Sequence, residues 1–170
     1  MALLIILSAL LIATYTAAVC IKCKGIPYSI SETFYKIEHK FWFGTTIILT
    51  ACLLMPAILE VTPDSYQFTA FLACVGMVMT GVAPHFKEGI EKKIHTAGAV
   101  LCLVFSQVWV ALTCPWVLLV WVLYLVYTVV MMIKNWTGYF IGSFLSTKPM
   151  FWVEISSLLS TYVTVLLTKT

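Results

Sequence analysis

Residues 96–133 read TAGAVLCLVFSQVWVALTCPWVLLVWVLYLVYTVVMMI, without a single charged side chain. As one straight helix this run would be about 57 Å long at ~1.5 Å per residue, nearly twice the ~30 Å hydrocarbon layer of a bilayer. Its middle holds Cys114-Pro115. Proline lacks the N–H that a helix interior needs, while its fixed φ suits the first turn of a new helix. The run is therefore expected to fold into two spans, Thr96–Thr113 and Trp116–Ile133, joined by a tight turn.

Working outward, four more apolar stretches have comparable length: Ala2–Ile21, Phe41–Leu59, Phe68–Ala83 and Met150–Thr168. The third of the six, Phe68–Ala83, is short and is expected to extend into its flanks. Of the 170 residues 62% are hydrophobic and 10% charged, with a mean hydropathy of +1.02. Soluble chains carry about 25% charged residues because they must cover an exterior that faces water. The expected fold is all-α, a polytopic membrane bundle of six transmembrane helices in one domain, residues 1–170. The first stretch ends in Ala17-Ala18-Val19-Cys20, which superficially resembles a lipoprotein cleavage box. No lysine precedes it, and the apolar run exceeds a usual signal-peptide core, so a retained helix is expected.

Ten lysines and no arginines give a net charge of +3. Lys22, Lys24, Lys36 and Lys40 fall in segment 22–40, Lys87, Lys92 and Lys93 in segment 84–95, and Lys134 and Lys148 in segment 134–149. In a six-span chain these segments share one side, and only Lys169 lies on the other, with Glu60 and Asp64. The positive-inside rule puts the lysine side in the cytosol and both termini outside. A cell membrane, with the bacterial inner membrane as the expected compartment, follows from this reading. Asn135-Trp136-Thr137 matches a glycosylation acceptor, but on the cytosolic side it would stay unmodified.

Helices in lipid associate through small residues and through polar side chains that bond across the interface. Such residues line Ala9-Ala13-Thr16-Cys20, Thr69-Ala73-Gly76-Thr80-Ala83, Ala99-Cys102-Ser106 and Glu154-Ser157-Thr161-Thr164-Thr168. The first, third, fourth and sixth spans are thus expected inside. The fifth, nearly all bulky, is expected to face lipid. Pro56 should kink the second. Within segment 22–40, Ser29 and Glu32 have capping-box spacing, and Ile30, Phe34, Ile37 and Phe41 recur at helical spacing. Glu32 and Lys36 can pair at i,i+4. A short amphipathic helix over about residues 29–38, lying in the headgroup plane, is expected.

The groups able to do chemistry gather toward the lysine side. His39, His85 and His95 lie at span ends, and Glu154 enters the last span one turn deep. Their convergence would allow acid–base work on a lipid headgroup, with His85 and His95 as the candidate metal ligands. Glu91 and His95 share i,i+4 spacing, His85 and Glu88 i,i+3, and Glu88 can pair with Lys92. The favoured reading is that these groups only solvate helix ends. An ionisable group inside a membrane costs roughly 2.5–3.5 kcal/mol at mid-span, so Glu154 stands out even at its shallow depth. With Ser157, Thr161 and Gln107 it is expected to line a polar cavity or to join a hydrogen-bond network between helices. The lone CxxC, Cys20 to Cys23, has no second pair to complete a zinc site.

No HExxH or GxSxG pattern is present, and no cofactor is expected. The favoured expectation is non-catalytic binding of a lipid, a small ligand or a partner protein. A lipid-acting enzyme with a His/Glu site at the cytosolic leaflet is the alternative, and a small transporter or channel ranks third. The expected partners are membrane lipids, with a homo-oligomer or a partner membrane protein as further candidates. The absence of arginine argues against a nucleic-acid site.

Overall fold

A computed structural model describes residues 1–87 and 89–169; Glu88, and with it the expected pairings to His85 and Lys92, lies outside the described residues. Those residues form helices and turns and no strand. The helices are α1 (Ala2–Lys22), α2 (Thr33–Lys36), α3 (Phe41–Glu60), α4 (Gln67–Val82), α5 (Gly89–Thr113), α6 (Leu119–Lys134), α7 (Phe140–Ser146) and α8 (Pro149–Lys169), with a 3₁₀ turn, Pro115–Leu118, leading into α6. Five of them are long and apolar enough to cross a membrane: α1, α3, α5, the 3₁₀ turn continued by α6, and α8. The protein is a membrane-type helix bundle. At 16 residues α4 is the short one, about 24 Å of helix.

The sharp turn at Pro115 is present. Trp121 Nε1 donates to Gln107 Oε1 at 2.8 Å, which ties positions equidistant from Cys114 across the turn. α5 begins at Gly89, seven residues before the expected Thr96. Hydropathy marks where a helix leaves an apolar layer, whereas Glu91, Lys92 and Lys93 prolong it as solvated helix.

Glycines set the closest approaches. A Cβ on Gly76 of α4 would lie 2.5 Å from the Gly98 carbonyl oxygen of α5, and one on Gly98 would lie 2.7 Å from the Gly76 oxygen. Gly44 of α3 and Gly81 of α4 meet in the same manner, a Gly44 Cβ falling 2.7 Å from the Gly81 oxygen. These two backbone contacts join α3, α4 and α5 as consecutive antiparallel neighbours, the packing that small residues permit where no water drives association.

Two expectations about packing are corrected. The inner face of α1 is Ile5, Ser8, Ile12 and Val19, while Ala13 is exposed and Ala9, Thr16 and Cys20 are half-buried. Ser8 turns this face inward by donating to the Thr50 carbonyl at 2.9 Å and accepting from the Tyr162 hydroxyl at 2.5 Å. The second span was not expected inside, yet α3 buries Phe43, Thr46, Ile47, Thr50, Ala51, Leu54, Ala57 and Ile58. Pro56 sits within it without ending it. α6 does face outward, with Thr128 as its buried residue.

Segment 22–40 also differs from expectation. Its helical part is four residues, Thr33–Lys36, in place of about 29–38. Ile30 and Phe34 are 4% and 3% exposed and belong to the bundle core. The capping pair forms in altered shape: Glu32 N–H donates to Ser29 Oγ at 2.9 Å, and Tyr28 N–H donates to the Glu32 carboxylate at 2.8 Å. Tyr15 of α1 donates to Thr33 Oγ1 at 2.6 Å, and Phe151 N–H of α8 donates to the Tyr28 carbonyl at 2.9 Å. The segment is thereby pinned over one end of the bundle. Lys87 joins it there, its Nζ 4.4 Å from the Tyr35 ring centre, whereas Lys169 meets Glu60 at the opposite end.

Candidate functional site

Three elements that are remote in sequence meet beneath segment 22–40. Glu154 projects from the second turn of α8 and accepts a short hydrogen bond from Ile30 N–H through Oε2. Its Oε1 lies 3.5 Å from Ser31 Oγ. On the other side of that hydroxyl, His95 Nε2 of α5 lies 3.1 Å away. His95 Nδ1 is 2.9 Å from the Ala83 carbonyl oxygen.

The hydrogens of this chain follow from donor counting. A carbonyl oxygen only accepts, so His95 Nδ1 carries a proton. In the neutral imidazole Nε2 then presents its lone pair to Ser31. Ser31 has one hydroxyl proton and two acceptors, and the contact to Nε2 is shorter, while 3.5 Å is the limit of a useful bond. The proton therefore lies between Ser31 and His95. The ring cannot easily turn away: it is 5% exposed and nearly parallel to Phe86 at 4.9 Å and Phe43 at 6.4 Å.

Ser31 and Glu154 also border a cavity of about 100 Å³ in the middle of the bundle. Its walls are mostly apolar, from Ile12 of α1, Ile47 of α3, Met77 of α4, Ala99 and Leu103 of α5, and Leu158 of α8. Thr80 and Ser157 add hydroxyls, but Thr80 donates to the Gly76 carbonyl of its own helix at 2.9 Å. A single water needs roughly 10–15 Å³ of such space, so the cavity holds several water-sized groups or part of an alkyl chain.

The other expected residues go elsewhere. His85 is exposed, edge-on to Phe34 at 4.7 Å, and its backbone N–H donates to Glu91 at 3.3 Å, so Glu91 serves His85 instead of pairing with His95. His39 is exposed and lines an outer groove between α1 and α3 with Tyr15 and Trp42. Among the described residues no group of three His, Cys, Asp or Glu side chains is placed to hold a metal ion. Gln107 and Ser157 form a second polar cluster: Gln107 Nε2 donates to Ser157 Oγ at 3.0 Å, and Gln107 Oε1 accepts from Ser160 at 3.0 Å as well as from Trp121. Thr161 donates to the Ser157 carbonyl at 2.8 Å, within its own helix. Of the expected cavity residues, Glu154 and Ser157 border the space.

Ser31 carries no functional signal in the sequence. It sits beside a recognisable capping serine and looks like one more loop hydroxyl, because nothing local reveals that His95 lies against it. Compared with protein-family models, curated proteins and solved structures, the chain matches none.

Proposed function

We propose that this protein binds one amphiphile at a time, with part of an alkyl or acyl chain in the central cavity and a polar group against Ser31 and Glu154. The observation that carries the reading is a mostly apolar cavity bordered by the Glu154 carboxylate and the Ser31 hydroxyl. Small-ligand sites are mostly apolar with a few polar groups that fix orientation. An ionisable side chain in a membrane helix is costly to keep, and Glu154 borders this space. In this reading α4 serves as a sixth span, completed by its flanks. The lysine-rich end lies in the cytosol and both termini outside a cell membrane. Segment 22–40 then caps the cavity at the level of the inner headgroups, with Tyr28, Phe41 and Trp42 exposed beside it.

The test is to purify the protein in a mild detergent and extract what it carries for mass spectrometry. The expected result is a bound acyl compound in near-equal amount to the protein, lost in Ala99→Phe, which fills the cavity. A wild-type protein without such a compound, or equal loading of the Ala99→Phe variant, would overturn the reading.

A further inference from the structure

We propose that Ser31 is a nucleophile and His95 its general base, and that they transfer the acyl group of an ester whose chain occupies the central cavity. This rests on the amphiphile-binding reading and adds a reaction to it. Three features of the pair support it. The Ser31 hydroxyl lies 3.1 Å from His95 Nε2, within reach for a proton transfer. The Ala83 carbonyl holds the Nδ1 proton at 2.9 Å, which leaves the Nε2 lone pair on the serine side. Ser31 also borders the cavity, so a chain lying there can bring its carbonyl carbon to the hydroxyl.

A Ser–His bond sealed inside a core would be structural only. Here the histidine is buried and the serine is only partly buried, at the cavity rim, the division of labour a base and its nucleophile need.

In the first step Ser31 Oγ attacks the ester carbonyl carbon as its proton passes to His95 Nε2. The bond from that carbon to the alcohol oxygen breaks, and the departing oxygen takes the proton from Nε2. The acyl group is left on Ser31 as an ester. Water then attacks the same carbon, giving one proton to Nε2, and the bond to Ser31 breaks with return of that proton to Oγ. A carboxylic acid leaves and the serine is restored. Glu154 acts as a positioning residue, because its bond from Ile30 N–H fixes the backbone next to Ser31.

The experiment uses the full chain in detergent and a long-chain alkyl fluorophosphonate, which forms a Ser–O–P bond with loss of fluoride. Labelling at Ser31, mapped by peptide mass spectrometry, is expected. Ser31→Ala abolishes it, and His95→Gln slows it by about 100-fold or more, the lower end of general-base contributions. Wild-type protein that stays unlabelled, or carries the label elsewhere, overturns the proposal even if neither variant folds. Bound acyl compound measured on the same wild-type sample separates the two readings. If it is present without labelling, catalysis falls and binding stands; if both are missing, both fall.

Discussion

His95 and Ser31, 64 positions apart, share a hydrogen bond of 3.1 Å between Nε2 and Oγ, while the Ala83 carbonyl accepts from Nδ1, the other ring nitrogen. The tautomer is thus set by a backbone group that no side-chain substitution removes. Nitrogen NMR on labelled protein should find the neutral ring protonated at Nδ1. The assignment should persist in Ser31→Ala, since the carbonyl acceptor remains. Protonation at Nε2 alone in the wild type would show the ring to be arranged otherwise.

The Gly76–Gly98 crossing has no room for a side chain. A Cβ at either glycine meets the backbone of the opposite helix, which cannot shift as a flexible side chain can. Overpacking a core costs about 1–3 kcal/mol, and a clash with backbone belongs at the upper end. Gly98→Val should lower the thermal unfolding midpoint sharply or abolish monodisperse purification. Gly25→Ala, with nothing within 4 Å of its Cβ, should change little.

Ser8 joins α1 to α3 and α8 through Thr50 and Tyr162. Interhelical bonds of this kind average about 0.6 kcal/mol and reach about 1.7. Ser8→Ala leaves the Tyr162 hydroxyl without its acceptor, so a loss toward the larger figure is expected. Unfolding in a graded denaturing detergent would measure it, and an unchanged midpoint would argue against the bond.

Glu32 contributes a pH dependence. Burial acts to raise its carboxyl pKa, but the bond from Tyr28 N–H and the nearby Lys36 ammonium outweigh it and hold the value below the usual one. A group depressed in the folded state stabilises above its unfolded pKa and loses that contribution as pH falls through its folded pKa. Glu32→Gln should therefore be less stable than wild type at neutral pH, with the difference shrinking in acid. A gap that widens below the carboxylate range would refute this sign.

Orientation can be read with single cysteines in a background lacking the six native ones. Lys36→Cys and Lys92→Cys should react with an impermeant thiol reagent from one side of sealed vesicles, and Asp64→Cys from the other. Reaction of Lys92→Cys and Asp64→Cys from the same side would break the proposed six-span arrangement.

Much of the scaffold was legible in advance because hydropathy and proline act locally. The expected spans Ala2–Ile21, Phe41–Leu59 and Met150–Thr168 each match a helix to within one residue at either end. The turn at Cys114-Pro115 needed only the length of a bilayer and the chemistry of one residue. Faces were harder. Small residues on α1 suggested one inner stripe, but the Ser8 bonds to Thr50 and Tyr162 select another. Those partners lie in other helices, and one helix read alone cannot reveal which of its sides they will meet.

Segment 22–40 shows the same division. Its amphipathic spacing is a property of the chain, and it suits a membrane surface as well as the mouth of a bundle. The bond between Phe151 and Tyr28, and the burial of Ile30 and Phe34, decide for the mouth. Composition and apolar run lengths alone determined that this chain builds apolar rods and crowds its lysines at one end. Which hydroxyl faces which imidazole was decided only when α5, α8 and the residues between α1 and α3 came together. Hydrogen bonds reach about 3 Å, and no pattern within one segment encodes a distance between segments.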